Sequence, residues 1–252
     1  MRRLSLAFFD RPFAHRALHD IENGCPENSI SAVKSAVSNG YGVEIDLQLS
    51  ADDQAIVFHD YDLLRLANQK RIVRQTSSGD LLRIRLLGSD DTIPSFDEVL
   101  SCISGRVPLL VELKDQHGQL GVTNGALERA AASVLKDYDG PVAVMSFNPE
   151  MVAILAEILP EVPRGLVTCD FTSDDWPDVP ENLRRRLRGI PDFNRVGASF
   201  ISHQACDLAR PRVAELKRQG AAVFCWTIRS PQEEAEARVI ADNVTFEGYL
   251  AP

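Results

Sequence analysis

The sequence predicts an α/β fold: a (β/α)8 TIM barrel with a small insertion after its second principal strand and no regular final helix. Three observations lead there. Eight short apolar runs alternate with helical stretches, a rhythm that implies parallel pairing. The chain has 252 residues, about the length such a barrel needs. It also stops soon after the eighth run. Residues 1–252 are therefore expected to form one barrel domain, with 61–92 as an insertion or lid within it.

The first strand is placed at about 11–16 and ends in Ala14-His15-Arg16. A loop through Asn23-Gly24-Cys25-Pro26-Glu27-Asn28 leads into a helix with Ile30, Val33, Ala36 and Val37 on one face, stopping near Gly40. In 42–48, Val43, Ile45 and Leu47 alternate with Glu44, Asp46 and Gln48, the period of a strand with one apolar and one polar face. Both acids project from the same face, with Cα atoms roughly 6 to 7 Å apart. Adjacent carboxylates repel unless water or a cation screens them, and an interior strand offers little water. On this segment alone, a divalent cation and an edge strand with a solvated acidic face remain equally open readings.

A short apolar run, Ala55-Ile56-Val57-Phe58, then ends on His59-Asp60. The stretch 61–92 is rich in Arg, Asp, Ser and Gly and far exceeds a usual βα connection. Regular alternation resumes at Ser95-Phe96-Asp97-Glu98, a capping box opening a helix that Gly105 stops. A strand over 107–111 leads into Glu112-Leu113-Lys114, a helix is expected over 125–138, a strand over 141–147 and a helix over 149–159. The remaining strands are expected at 165–168, 198–202, 221–227 and 244–249. Ser230-Pro231-Gln232-Glu233 opens the best-marked later helix, with proline at its first position.

Composition narrows the function classes. An apolar share of 44% and a charged share of 25% suit a globular chain able to bury a full core. The net charge of −9 argues against broad binding to nucleic acid or to an anionic membrane, so an anionic substrate needs a local positive site. Five cysteines, Cys25, Cys102, Cys169, Cys206 and Cys225, lack CxxC spacing, which reads as reduced thiols in a cytoplasm and no zinc site. Met1-Arg2-Arg3 precedes an apolar run too short for a signal peptide, and nothing approaches a membrane span. A soluble, unprocessed, cytoplasmic protein without stable membrane association is expected.

In parallel barrels, active sites are built on the rim formed by the carboxyl ends of the strands. His15, Arg16, Glu44, Asp46, His59, Asp60, Glu112 and Lys114 would all converge there. Singly, each has a plainer role. His15 and His59 read as hydrogen-bonded structural histidines, and Asp60 as a turn cap. Glu112 and Lys114 read as a surface pair worth under ~1 kcal/mol. Phe147 and Trp226 read as barrel core, and His19, His117 and His203 as background. Together, two histidines, three carboxylates and two cations at successive strand ends are hard to explain as packing. Three carboxylates with no Cys or His at ligand spacing favour a hard, oxygen-preferring ion, Mg2+ or Ca2+, over zinc.

The ordered set Ala14-His15-Arg16, Pro26-Glu27-Asn28, Glu44-Ile45-Asp46, His59-Asp60 and Glu112-Leu113-Lys114 resembles the glycerophosphodiester phosphodiesterase family, a branch of the phosphatidylinositol-phospholipase-C-like barrels. Weaker matches are Ile93-Pro94-Ser95, Ser146-Phe147 and Trp226-Thr227. The resemblance implies hydrolysis of glycerophosphodiesters to glycerol 3-phosphate and an alcohol with one divalent cation. It implies Glu44, Asp46 and Glu112 as metal ligands, His15 and His59 as the acid/base pair, and Arg16 and Lys114 as phosphate contacts. Glu27 and Asn28 fall in the supporting shell, and Phe147 and Trp226 in the wall of the substrate pocket. A lysophospholipase-D-like enzyme with a different pocket near 61–92, and a non-catalytic phosphodiester-binding barrel, are the alternatives. The chain departs from the family pattern in three places. Ala17 stands where glycine is usual, Leu64-Arg65-Leu66-Ala67-Asn68 replaces a Thr-rich stretch, and Glu247-Gly248-Tyr249 replaces a Thr-Asp-x-Pro ending. If position 17 needs a positive φ, alanine strains the loop.

Overall fold

The computed structural model describes residues 2–252. Its strands are β1 (Phe13–Ala14), β2 (Gly42–Leu49), β3 (Ala55–Val57), β4 (Leu109–Leu113), β5 (Val142–Ser146), β6 (Arg164–Thr168), β7 (Phe200–Gln204), β8 (Ala222–Ile228) and β9 (Asn243–Phe246). All but β3 pair in parallel, and β1 closes the barrel by bonding both β2 and β9. β3 turns back antiparallel on the far end of β2. The eight parallel strands expected from the sequence rhythm are therefore present, with the extra short one beside them.

Strand ends differ from the apolar runs because pairing, not hydrophobicity, sets them. β1 keeps two residues of the expected six, since Arg16 and Ala17 adopt φ of 52° and 65° and leave the extended region. β4 begins only after Pro108, which has no N–H for the ladder.

The helices are α1 (Ala7–Asp10), α2 (Ile30–Ser38), α3 (Leu64–Ala67), α4 (Ser78–Leu81), α5 (Phe96–Ile103), α6 (Ala126–Leu135), α7 (Pro149–Ile158), α8 (Glu181–Arg188), α9 (Pro211–Arg218) and α10 (Pro231–Ala237). The capping box at α5 is complete: Glu98 N–H donates to Ser95 Oγ and Ser95 N–H to the Glu98 carboxylate. At α10 only half of it forms. Glu233 N–H donates to Ser230 Oγ, but the Glu233 carboxylate accepts from Arg229 N–H instead.

Two apolar layers follow from strand alternation. Val43, Ile45 and Leu47 face outward into the layer under the helices. Inside the barrel, Phe8, Phe13, Leu110, Met145, Val167, Phe200 and Phe224 form a second cluster. Phe8 comes from α1, and the Asn243 amide donates to Phe8 O and Arg11 O at 2.9 and 2.8 Å, tying this segment beneath the barrel. Among the described residues no helix follows β9; Tyr41 Oη donates to Ala251 O at 2.5 Å and ties down the segment after that strand. The interior is thus packed from the amino end of the strands, and polar groups are left to the opposite rim.

The stretch 61–92 carries α3 and α4 over an apolar cluster of its own, which includes Phe58, Leu63, Val73, Leu81, Ile84, Leu86 and Ile93. Ser78 N–H and Oγ–H donate to Asp52, and the Arg74 guanidinium donates to Asp53, so it is tied to the β2–β3 turn.

Candidate active site

The site grows from the left-handed turn that ends β1. With Arg16 and Ala17 in that conformation, Arg16 N–H donates to Glu44 Oε2 at 2.8 Å and Ala17 N–H to Glu44 O at 2.8 Å. Position 17 does take a positive φ, which an alanine occupies at a cost of about 1 kcal/mol. Its methyl is buried in the outer core, which offsets part of that. Asn28 also sits at positive φ, 57°, a region asparagine tolerates. From there its Nδ2 donates to Asp46 Oδ2 at 3.0 Å, while Asp46 N–H donates to Asn28 Oδ1 at 3.3 Å.

Glu44 and Asp46 face inward from β2, and the register sets Asp46 directly beside Glu112 on β4. One carboxylate oxygen from each of the three lies within 4.8 Å of the others. They are 2%, 2% and 8% exposed, which excludes the solvated edge strand. Burial, then the charges of Asp46 and Glu112, push the Glu44 carboxyl well above its ordinary pKa. Burial opposes ionisation of Asp46 too, but Lys114, His59 and Arg16 outweigh it and hold that carboxyl low.

The cations are interleaved with the acids. Lys114 Nζ lies 2.8 Å from Glu112 Oε1 and 3.4 Å from Asp46 Oδ1. Burial penalises its charge, yet those two carboxylates keep the ammonium pKa raised. Arg16 donates through Nη1 to Glu27 Oε1 at 2.8 Å, while its buried Nε has no hydrogen-bond partner.

Both histidines are oriented from behind. His15 Nδ1 lies 2.5 Å from Glu247 Oε2, and His59 Nδ1 lies 2.7 Å from Asp60 Oδ1. A carboxylate only accepts, so Nδ1 carries the proton in each ring. Nε2 of each has no protein partner among the described residues. Burial lowers the His15 pKa, opposed by the bond to Glu247. Glu247 also receives Arg229 Nη2 at 2.7 Å and has His19 Nε2 at 3.8 Å.

A cavity of about 170 Å³ joins His15, Arg16, Glu44, Asp46, His59, Glu112 and Lys114 to Phe147 and Trp226. Those two rings meet edge to face, 5.5 Å between centroids, and Trp226 Nε1 donates to Ser202 O at 3.0 Å. All nine line the cavity. Glu27 and Asn28 instead stand one contact behind it, on Arg16 and Asp46. Sequence reasoning missed Glu247 and Arg65 as partners and read Asp60 as a turn cap; the acidic residue at the altered ending was the one available signal for Glu247.

The carboxylates, imidazoles and cations enclosed here form a charged pocket at the carboxyl rim of a (β/α)8 barrel, where enzymes of this fold carry their active sites. Residues 15–245 match the Glycerophosphoryl diester phosphodiesterase family. A glycerophosphodiester phosphodiesterase of Caldanaerobacter subterraneus is 28% identical, with 85% of this chain and 84% of that one covered. Glycerophosphodiester phosphodiesterase 1 of Bos taurus is 27% identical over 88% of this chain and 72% of its own. Among solved structures, an Oleispira antarctica phosphodiesterase in complex with the product sn-glycerol-3-phosphate superposes with a TM-score of 0.77, at 23% identity, covering 96% of this chain and 94% of that one. The chain belongs to the glycerophosphoryl diester phosphodiesterase family, whose members are phosphoric diester hydrolases. No helix among the described residues is long and apolar enough to cross a membrane.

Proposed function

We propose that this protein hydrolyses glycerophosphodiesters to glycerol 3-phosphate and an alcohol, with one divalent cation, Mg2+ or Ca2+, held by Glu44, Asp46 and Glu112. The observation that carries this reading is the buried carboxylate cluster beside two histidines, each backed by its own carboxylate. The donor set fits such an ion: it is oxygen-only and buried, and burial, then the like charges of Asp46 and Glu112, make Glu44 reluctant to ionise without one. Once all three were ionised around such an ion, the carboxylates against the charges of Arg16 and Lys114 would amount to a net single negative charge. A divalent cation turns that into a net positive charge, the complement of a phosphodiester. The ion supplies charge stabilisation at the phosphoryl oxygens.

The protein groups do the rest. Arg16, whose Nε makes no hydrogen bond among the described residues and lies 3.7 Å from Asp46 Oδ2, and Lys114 bind phosphate oxygens and neutralise the charge that grows on them, usually the largest catalytic effect. Nε2 of one histidine removes the proton from the nucleophile, and Nε2 of the other delivers one to the leaving oxygen. Each such role typically contributes ~10²- to 10⁴-fold in rate. Glu247 and Asp60 hold the rings in the tautomer this needs. Water and the glycerol 2-hydroxyl both fit as nucleophile, and a cyclic phosphate product identifies the latter. Phe147 and Trp226 wall the glycerol end, and bound sn-glycerol-3-phosphate in the Oleispira antarctica enzyme supports a group of that size.

A separate groove of about 650 Å³ shares Trp226, Thr227 and Arg229 with the lining of the cavity. Leu208, Ile228 and Ile240 line it together with Gln204, Arg229, Glu233 and Glu236, and lysophospholipids stay in the substrate question as the alternative. The test is a panel of glycerophosphocholine, glycerophosphoethanolamine and lysophosphatidylcholine with products identified. Release of glycerol 3-phosphate from the first two is expected. Lysophosphatidylcholine as the only substrate would move the assignment to a lysophospholipase-D-like enzyme, and no turnover of any would favour a binding barrel.

A further inference from the structure

Arg65, on α3, touches neither the cavity nor the carboxylate cluster, yet four hydrogen bonds join it to both sides of the site. Its Nε and Nη2 donate to Asp60 Oδ2 and Oδ1, both at 2.7 Å. Its Nη1 and Nη2 donate to Glu27 Oε2 and Oε1 at 2.7 and 2.8 Å. The same Asp60 Oδ1 accepts from His59 Nδ1, and the same Glu27 Oε1 accepts from Arg16 Nη1. Arg65 Nη2 is thus the shared node of a continuous chain from His59 through Asp60, Arg65 and Glu27 to Arg16.

We propose that Arg65 is a positioning residue that fixes His59 and Arg16 relative to one another and makes 61–92 part of the active site. This rests on the functional reading above and deepens it. Exposed ion pairs contribute little to stability, and the Arg65 side chain is 47% exposed, so fold stability does not explain the arrangement. Its partners are more enclosed, at 12% and 22% exposure, and each bond pair is bidentate, the geometry that fixes direction. Only a planar guanidinium makes all four bonds; the single ammonium of lysine cannot bridge both carboxylates in that plane. Without it, Asp60 is free to turn away from His59, and Glu27 is held by Arg16 alone.

The test uses Arg65→Ala and Arg65→Lys in the full chain. Removing a group that orients a catalytic side chain typically costs ~10- to 100-fold in activity. Arg65→Ala is expected to lose kcat through His59 and to raise KM through Arg16, with an unchanged melting temperature. Arg65→Lys should recover little. Because the site of the lost side chain is open to solvent, free guanidinium at millimolar concentration should restore several-fold of the alanine variant's turnover, and urea should not. Turnover within two-fold of wild type, or a loss that tracks a lowered melting temperature and that guanidinium does not relieve, would overturn the proposal. The 15N shifts of the His59 ring give a readout without substrate. They should move from a fixed Nδ1–H form toward tautomer averaging in Arg65→Ala, and unchanged shifts would count against it. If the wild type turned over no diester, the functional reading would fail and these shifts would still decide the role of Arg65.

Discussion

Replacing Glu247 with glutamine isolates what the carboxylate behind His15 does. Glutamine keeps the shape and can still accept from Nδ1 through its amide oxygen, but the charge is gone. A hydrogen bond to a charged group contributes about 1.5 to 3 kcal/mol and a neutral one about 0.5 to 1.5. The difference, about 1 to 1.5 kcal/mol, corresponds to roughly a tenfold loss in kcat. Glu247 is 20% exposed, so solvent screening removes little of this. There is also a pH signature. Burial lowers the His15 pKa and Glu247 opposes it, so removing the opposing charge lets that pKa fall further. The limb of the rate profile governed by His15 therefore moves to lower pH. If it is the alkaline limb, His15 is the acid; if it is the acidic limb, His15 is the base. The assay is kcat for glycerophosphocholine hydrolysis across pH, with wild type and Glu247→Gln both folded by circular dichroism. A Glu247→Gln enzyme within two-fold of wild type, with both limbs in place, would refute the reasoning.

Other predictions concern stability. Glu128 on α6 is fully buried, with neither carboxylate oxygen hydrogen-bonded, and burial raises its pKa above 4.5. Its protonated form fits the fold better, so that contribution is complete below pH 4.5 and is lost as pH rises through the folded value. Glu128→Gln should stabilise the protein at neutral pH by on the order of 1 kcal/mol, and by almost nothing in acid; equal denaturation midpoints at neutral pH would count against this. Ser95→Ala removes the capping box of α5 and should cost about 1 kcal/mol in urea denaturation without changing kcat.

Much of the site was legible because it is written in local patterns. The alternation in 42–48 puts Glu44 and Asp46 on one face whatever lies around it, and an apolar run ending in Glu112-Leu113-Lys114 places that acid on the same rim. What a single strand leaves open, whether its acids face water or the interior, is decided by the neighbour: Asp46 sits in register with Glu112. Arg65 carried no such local signal, and Glu247 only its acidity at the altered ending. Glu247 meets His15 across 232 positions of sequence, a contact made only by barrel closure between β9 and β1. Arg65 reaches Glu27 across 38 positions, from a stretch whose composition suggested only a lid. Strand ends were similarly opaque, because positive φ at Arg16 and Ala17 ends β1 early while the residue types alone read as continuing strand.

On the reading proposed above, hydrolysis depends on a divalent cation held by Glu44, Asp46 and Glu112. The direct measurement is titration of Mg2+ and of Ca2+ into metal-stripped protein, wild type and Glu44→Gln, followed by calorimetry and by hydrolysis in parallel. Wild type should bind one equivalent and regain activity over the same concentration range, while the variant, still folded, does neither. Full turnover by the stripped wild type would rule out a metal requirement, and unaltered cation binding by Glu44→Gln would rule out Glu44 as a ligand.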